Sequence, residues 1–226
     1  MIKFFETICA PTVWVIAVLE LAMLAFSIIR FVKTKSLLTL VIALITVGLF
    51  YDAFIIGLGA FVVASKMHAI SQIRFISHGV LIPLLFAVCS LSLDLKKPWK
   101  YIVYGITLVF MGLGLAEGIA TVLEPVMAGG LSRMASAKEL TPAWASAISR
   151  VLSFGTVFPL IGVGIFVWIK QKNPFLCLSG LFMLFFSAIG PALGAKDYIF
   201  FISMFGEILM IAFMLLYTFK KEKRIL

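Results

Sequence analysis

Apolar and polar positions fall in long blocks along this chain. Nearly unbroken apolar runs are separated by short polar breaks, "RFVKTKS", "ASKMHAISQ", "DLKKPWK", "KQKNP" and "GAKD". A helix rising about 1.5 Å per residue needs about 20 apolar residues to cross the hydrocarbon core of a bilayer. Seven stretches meet that length: 12–32, 37–63, 73–93, 101–122, 147–169, 175–194 and 198–219. Unpaired backbone groups are too costly in hydrocarbon for anything but helices or a closed barrel, and barrel-type alternation is missing. The pattern predicts an all-α bundle of seven transmembrane helices, one domain over residues 1–226.

The longest break, 123–146, begins "LEPVMAGGLSRMASAKELTPAW". Gly129-Gly130 and two prolines bar a single continuous helix. "SRMASAKEL" is expected to form a short interfacial helix, with Trp144 near the headgroups. A connection this long is a candidate lid; a plain solvated connection is the alternative.

Composition agrees with the spans. Of 226 residues, 63% are hydrophobic and 13% charged, with a mean hydropathy of +1.17. A soluble domain is about 45–50% apolar and about 25% charged, so lipid must take up the surplus. The net charge of +9 is spread between apolar blocks rather than along one stripe, which suits lipid headgroups and excludes nucleic acid as a partner. Cys9, Cys89 and Cys177 have neither disulfide-framework nor zinc-finger spacing, and Cys89 and Cys177 are expected to be unpaired thiols. The start "MIKFFETICAPTVW" has no A-x-A-like site and runs into a full span, so the first helix is read as a retained signal-anchor.

Basic residues set the orientation. One side carries twelve: Arg30, Lys33, Lys35, Lys96, Lys97, Lys100, Lys170, Lys172, Lys220, Lys221, Lys223 and Arg224. The other carries seven: Lys3, Lys66, Arg74, Arg133, Lys138, Arg150 and Lys196. The richer side is expected to be cytoplasmic, placing the N-terminus outside and the C-terminus inside a plasma membrane.

Seven ionisable residues interrupt the apolar blocks: Glu20, Asp52, Arg74, His78, Glu117, Arg150 and Glu207. Counting about 1.5 Å per residue from the outer end, Arg74 and Arg150 lie within ~5 Å, His78 and Glu117 near ~7–8 Å, Glu20 and Glu207 near ~12–14 Å, and Asp52 near ~16 Å. All are in the outer half. The inner halves hold only scattered hydroxyls such as Thr39, Ser90 and Thr107. Inserting Asp, Lys or Arg at mid-membrane costs about 2.5–3.5 kcal/mol or more, so these groups should converge on each other or on a water-filled cavity. Arg74 and His78 share a helix face, and Glu117 is the expected partner of Arg74. Gly48, Gly57, Gly59, Gly112, Gly114 and Gly118 let backbones approach or leave room for a ligand. Pro83, Pro159 and Pro191 are expected to bend their helices.

Several chemistries lack their signatures. One span contains one His and there is no HExxH pair, so no metal is expected. Ser77 points about 100° away from His78 on a helix, and no GxSxG elbow occurs. "GLGLAEG" lacks the Lys-Ser or Lys-Thr of a phosphate-binding loop. No span core carries the lysine that retinal attachment requires, which separates the chain from microbial rhodopsins. The Pro-Gln signature of small seven-helix sugar transporters is missing too. No cofactor is expected.

"YDAFIIGLG" followed by "RFISHGVLIPLL" resembles a tyrosine-aspartate, glycine, arginine, histidine, proline pattern in uncharacterised bacterial seven-helix integral-membrane proteins. The resemblance covers helices two and three, about 41 residues. It places Asp52, Arg74 and His78 in one constellation and implies no activity. Three functions stay open. The first is an outward-facing pocket that binds or transports a small polar or amphipathic molecule, with proton exchange through Asp52, Glu117 or Glu207. The second is an intramembrane enzyme acting on a lipid or isoprenoid headgroup, with His78 and Asp52 as acid and base. The third is a structural subunit of a membrane complex. Membrane lipids are partners in every case, and the sequence leaves the oligomeric state open.

Overall fold

The computed structural model describes residues 2–222; Lys223 and Arg224 of the basic tail lie outside the described residues. The elements in order are α1 (Ile2–Thr34), α2 (Leu37–Leu58), α3 (His68–Leu81), α4 (Leu84–Ser92), α5 (Lys97–Ala120), β1 (Leu123–Ala128), β2 (Leu131–Ser136), α6 (Ala143–Gln171), α7 (Phe175–Ala192) and α8 (Ile199–Glu222). Among the described residues, seven segments are long and apolar enough to cross a membrane, with α3 and α4 together forming the third. Their outward faces carry large apolar side chains such as Val18 on α1, Leu108 on α5, Phe158 on α6 and Phe185 on α7. Apolar surface on this scale marks a lipid-facing protein.

Each boundary has a local cause. Ser36 caps α2 by accepting a hydrogen bond from the Thr39 backbone N–H, a favoured use of serine at a helix start. α2 stops at Leu58 rather than running to residue 63, because the chain turns at Gly59 and enters a 3-10 turn at Ala64–Met67. His68 therefore opens α3 instead of lying in a loop. Pro83 has no N–H to continue the helix, and the chain makes a turn at Ile82–Pro83 between α3 and α4. Pro159 and Pro191 lie inside α6 and α7 without interrupting them.

The segment between α5 and α6 corrects the sequence expectation. "SRMASAKEL" forms no interfacial helix; its first part is β2, paired antiparallel with β1 from Leu123↔Ser136 to Ala128↔Leu131. Gly129 and Gly130 make the two-residue turn with φ of +60° and +73°, values that match the twist of a tight hairpin and that L-residues rarely adopt. The hairpin is tied to the bundle. The Ser132 N–H donates to Gly59 O at 2.9 Å, and the Ala64 N–H donates to Ser132 Oγ at 2.8 Å. Leu131 packs with Val13 of α1, Ile56 of α2 and Phe201 of α8.

A Cβ on Gly129 would meet Cys9 Cβ at 2.4 Å, whereas one on Gly130 would meet nothing closer than Glu6 O at 3.8 Å. Both alanine substitutions carry a left-handed backbone cost of about 1–2 kcal/mol. Only Gly129→Ala adds overpacking, about 1–3 kcal/mol more. Gly129→Ala is therefore expected to unfold at lower temperature than Gly130→Ala, and equal melting temperatures in detergent would contradict the lid's contact with α1.

At the other end the bundle has a largely apolar core. Ile42, Ile45 and Leu49 of α2 meet Leu85 of α4, Leu160 of α6 and Met214 of α8, all buried. Cys9, Cys89 and Cys177 are free, buried thiols.

Candidate functional site

Between this core and the hairpin lies a cavity of about 540 Å³. α3 and α5 form one of its corners by touching backbone to backbone. A Cβ on Gly79 would fall 2.4 Å from Gly114 O, and one on Gly114 would fall 1.9 Å from Gly79 O. Only glycine permits that approach, and it brings His78 of α3 and Glu117 of α5 to the same wall.

Six of the seven residues singled out in the sequence line this cavity: Asp52, Arg74, His78, Glu117, Arg150 and Glu207. Glu20 does not. It is fully buried on α1 behind the wall, close enough to interact electrostatically with Glu207 and Asp52. Neither of its carboxylate oxygens has a hydrogen-bond partner among the described residues.

The pairing differs from the sequence expectation. Arg74 Nε faces Asp52 Oδ1 at 3.4 Å, with side chains only 7% and 18% exposed. Glu117 instead accepts from Thr121 Oγ1 at 3.3 Å. Asp52 is also shallower than expected. α2 ends six residues beyond it, about 9 Å along the axis, so the carboxylate lies nearer the hairpin end of α2 than the sequence count of ~16 Å placed it. Arg74 reaches up as well as across, since its Nη2 donates to Met134 O of β2 at 3.0 Å. One guanidinium thus joins α2, α3 and the hairpin.

Sequence reading missed Arg133, which sits on β2 and lines the cavity beside Ala135. Its Cζ lies 4.0 Å from the centroid of the Phe200 ring, and its Nε is buried without a hydrogen-bond partner. Burial, followed by the nearby charge of Arg74, lowers its pKa to about 10, so it stays a cation at neutral pH. The detectable signal was Gly-Gly between two six-residue runs, a hairpin signature; strand alternation then puts Arg133 and Ala135 on one face. Ser136, Ser149, Ser153, Ser187 and Ser203 also line the wall, and single serines in apolar spans give no comparable sequence signal.

The wall combines charges and hydroxyls with Ile56, Phe75, Leu152, Met183 and Met210. Ser77, next to His78 in sequence, donates its hydroxyl to Arg74 O at 3.0 Å. Among the described residues, no group of three or more His, Cys, Asp or Glu side chains is placed to hold a metal ion. A second hollow of about 680 Å³ lies outside the hairpin turn, with Glu6 and Asp197 as its charged residues; it contains none of the seven ionisable residues singled out in the sequence. No protein-family model matches the sequence, and no curated protein matches it.

Proposed function

We propose that this chain binds a small polar or amphipathic molecule in the cavity beneath the hairpin. The observation that carries the reading is the lining itself. Three guanidiniums, three carboxylates, one imidazole and five serine hydroxyls share about 540 Å³ with aliphatic and aromatic side chains. That volume falls within the ~300–1,000 Å³ of small-molecule sites, which pair an apolar lining with a few placed polar groups. The apolar core of Ile42, Ile45, Leu160 and Met214 closes the far end, so the geometry favours one-sided binding over passage through the bundle. Glu117 and Glu207 are the groups through which binding would couple to protons.

The site is proposed to face the exterior of a plasma membrane, with the N-terminus outside and the tail in the cytoplasm, on the asymmetry of basic residues. A reporter fused after Leu226 is expected to be active only as a cytoplasmic fusion. Activity of an exterior-only reporter at that position would reverse the assignment.

Native mass spectrometry of the protein extracted with its surrounding lipid tests the binding role. A retained small molecule is expected on the wild-type chain and not on Ser203→Trp, which fills the cavity. Identical bound masses on both proteins, or none on either, would overturn the reading.

A further inference from the structure

The cavity is not equally closed on all sides. Over α2, α3 and α8 the hairpin seals it, through Ser132 to Gly59, Arg74 to Met134 and Arg133 against Phe200. α6 and α7 are different. Near their connection they pack tightly: a Cβ on Gly164 would lie 2.5 Å from Cys177 Cα, and one on Gly180 would lie 2.7 Å from Ile161 Cγ1. Toward their outer ends, positions at matching heights, Val157 and Ser153 on α6 with Leu184 and Ser187 on α7, line the cavity instead. Ser153 and Phe154 belong to that wall and are nevertheless exposed, Phe154 by 54%. On this side the wall is thus incomplete, because exposed residues of α6 reach the cavity beside α7.

The charges lining the cavity are unevenly satisfied. Arg74 is held by Asp52 and Met134 O. Arg133 and Arg150 have no carboxylate partner among the described residues; Arg150 Nε donates only to Ser146 O of its own helix, at 3.2 Å. Deeper in, Glu207 is 6% exposed and its Oε2 is buried without a partner. The cavity therefore holds two guanidiniums, Arg133 and Arg150, without a carboxylate partner among the described residues, and one unpartnered acceptor, Glu207. Guanidiniums favour phosphate oxygens, which they meet with paired N–H groups.

We infer that the cavity takes a membrane lipid laterally through the gap between α6 and α7, a lipid whose phosphate meets Arg133 and Arg150 and whose terminal hydroxyl or ammonium donates to Glu207. This rests on the binding role proposed above and gives it a ligand class and a route. The acyl chains leave past Phe154 and Leu184 into the bilayer, so only the headgroup needs to fit inside.

The test uses the full-length protein, delipidated in detergent and titrated by native mass spectrometry. The probes are phosphatidylglycerol (phosphate and hydroxyls), phosphatidylcholine (phosphate, no donor), diacylglycerol (no phosphate) and soluble glycerol phosphate (no chains). Phosphatidylglycerol is expected to bind at least 10-fold more tightly than phosphatidylcholine or diacylglycerol and about 100-fold more tightly than glycerol phosphate. Arg150→Gln, a change at an exposed residue, should weaken it by 10-fold or more, and Arg133→Lys should weaken it while keeping the charge. A bulky maleimide on Ser153→Cys should slow lipid uptake at least 10-fold. Equal binding of diacylglycerol, unchanged affinity in Arg150→Gln, glycerol phosphate as tight as the lipid, or unchanged uptake after Ser153 labelling would each overturn the inference. Binding of a neutral or cationic amphiphile would leave the general binding role standing while refuting this ligand. Binding of nothing would refute both.

Discussion

Arg74→Gln is expected to destabilise the folded protein by about 3–5 kcal/mol, the cost of stranding the other half of a buried ion pair. The change removes the Arg74–Asp52 contact at 3.4 Å and the hydrogen bond to Met134 O that ties down the hairpin. Asp52→Asn should cost less, because Arg74 keeps its carbonyl acceptor on β2. The double change Asp52→Asn/Arg74→Gln leaves two neutral amides and should recover most of the stability, short of the lost tie to Met134. Thermal unfolding of the three variants in one detergent measures this directly. Singles as stable as the wild type would show that the pair is no strut and would free both residues for contact with a ligand. Unstable singles with a rescued double would move the weight of binding to Arg133, Arg150 and Glu207.

The second large effect is at the crossing of α3 and α5. Gly114→Ala places a methyl group 1.9 Å from Gly79 O, which no rotamer relieves because the obstacle is backbone. The helices must separate, at a cost in the range of about 1–3 kcal/mol or above for overpacking. The wall carrying His78 and Glu117 must open with them. Gly112→Ala is the control: a Cβ there meets nothing within 4 Å, and alanine is the better helix former by about 0.8–1 kcal/mol. Gly114→Ala should therefore lose both stability and ligand binding, while Gly112→Ala keeps both. Similar behaviour of the two variants would contradict the backbone contact.

These two sites also show how far the sequence could be read. The spans were legible because the cost of unpaired backbone in hydrocarbon leaves helix as the main solution, and the crowding of the charges toward one end of the bundle was visible from residue positions alone. The partner of Arg74 was not. Depth estimates favoured Glu117, but α2 ends at Leu58 rather than at residue 63, which lifts Asp52 to the level of Arg74. The apolar residues after Leu58, Phe61 and Val63 among them, are exposed in the turn and imitate a longer span in a hydropathy profile. The hairpin was missed for a related reason. "SRMASAKEL" has a composition a helix tolerates, and only the pairing with Leu123–Ala128 through Gly129-Gly130 makes it a strand. Arg133 was lost with it, since a residue assigned to a solvated loop is not sought in a cavity wall. The glycines were legible as a class but not individually: Gly114 and Gly118 sit at contacts, whereas Gly112 does not.

The Arg74–Asp52 pair lies on consecutive spans, and that bears on how the chain enters the bilayer. Either charge alone would oppose partitioning of its helix, by up to about 2.5–3.5 kcal/mol at a helix centre and less near an end, but α2 and α3 emerge one after the other and their opposite charges can offset each other. Arg133, Arg150 and Glu207 are synthesised later, and Met134 can reach Arg74 only once the hairpin bearing Arg133 has been made. The order of synthesis thus allows the ion pair to form before the hairpin docks. The cavity acquires its remaining walls only when α6, α7 and α8 arrive.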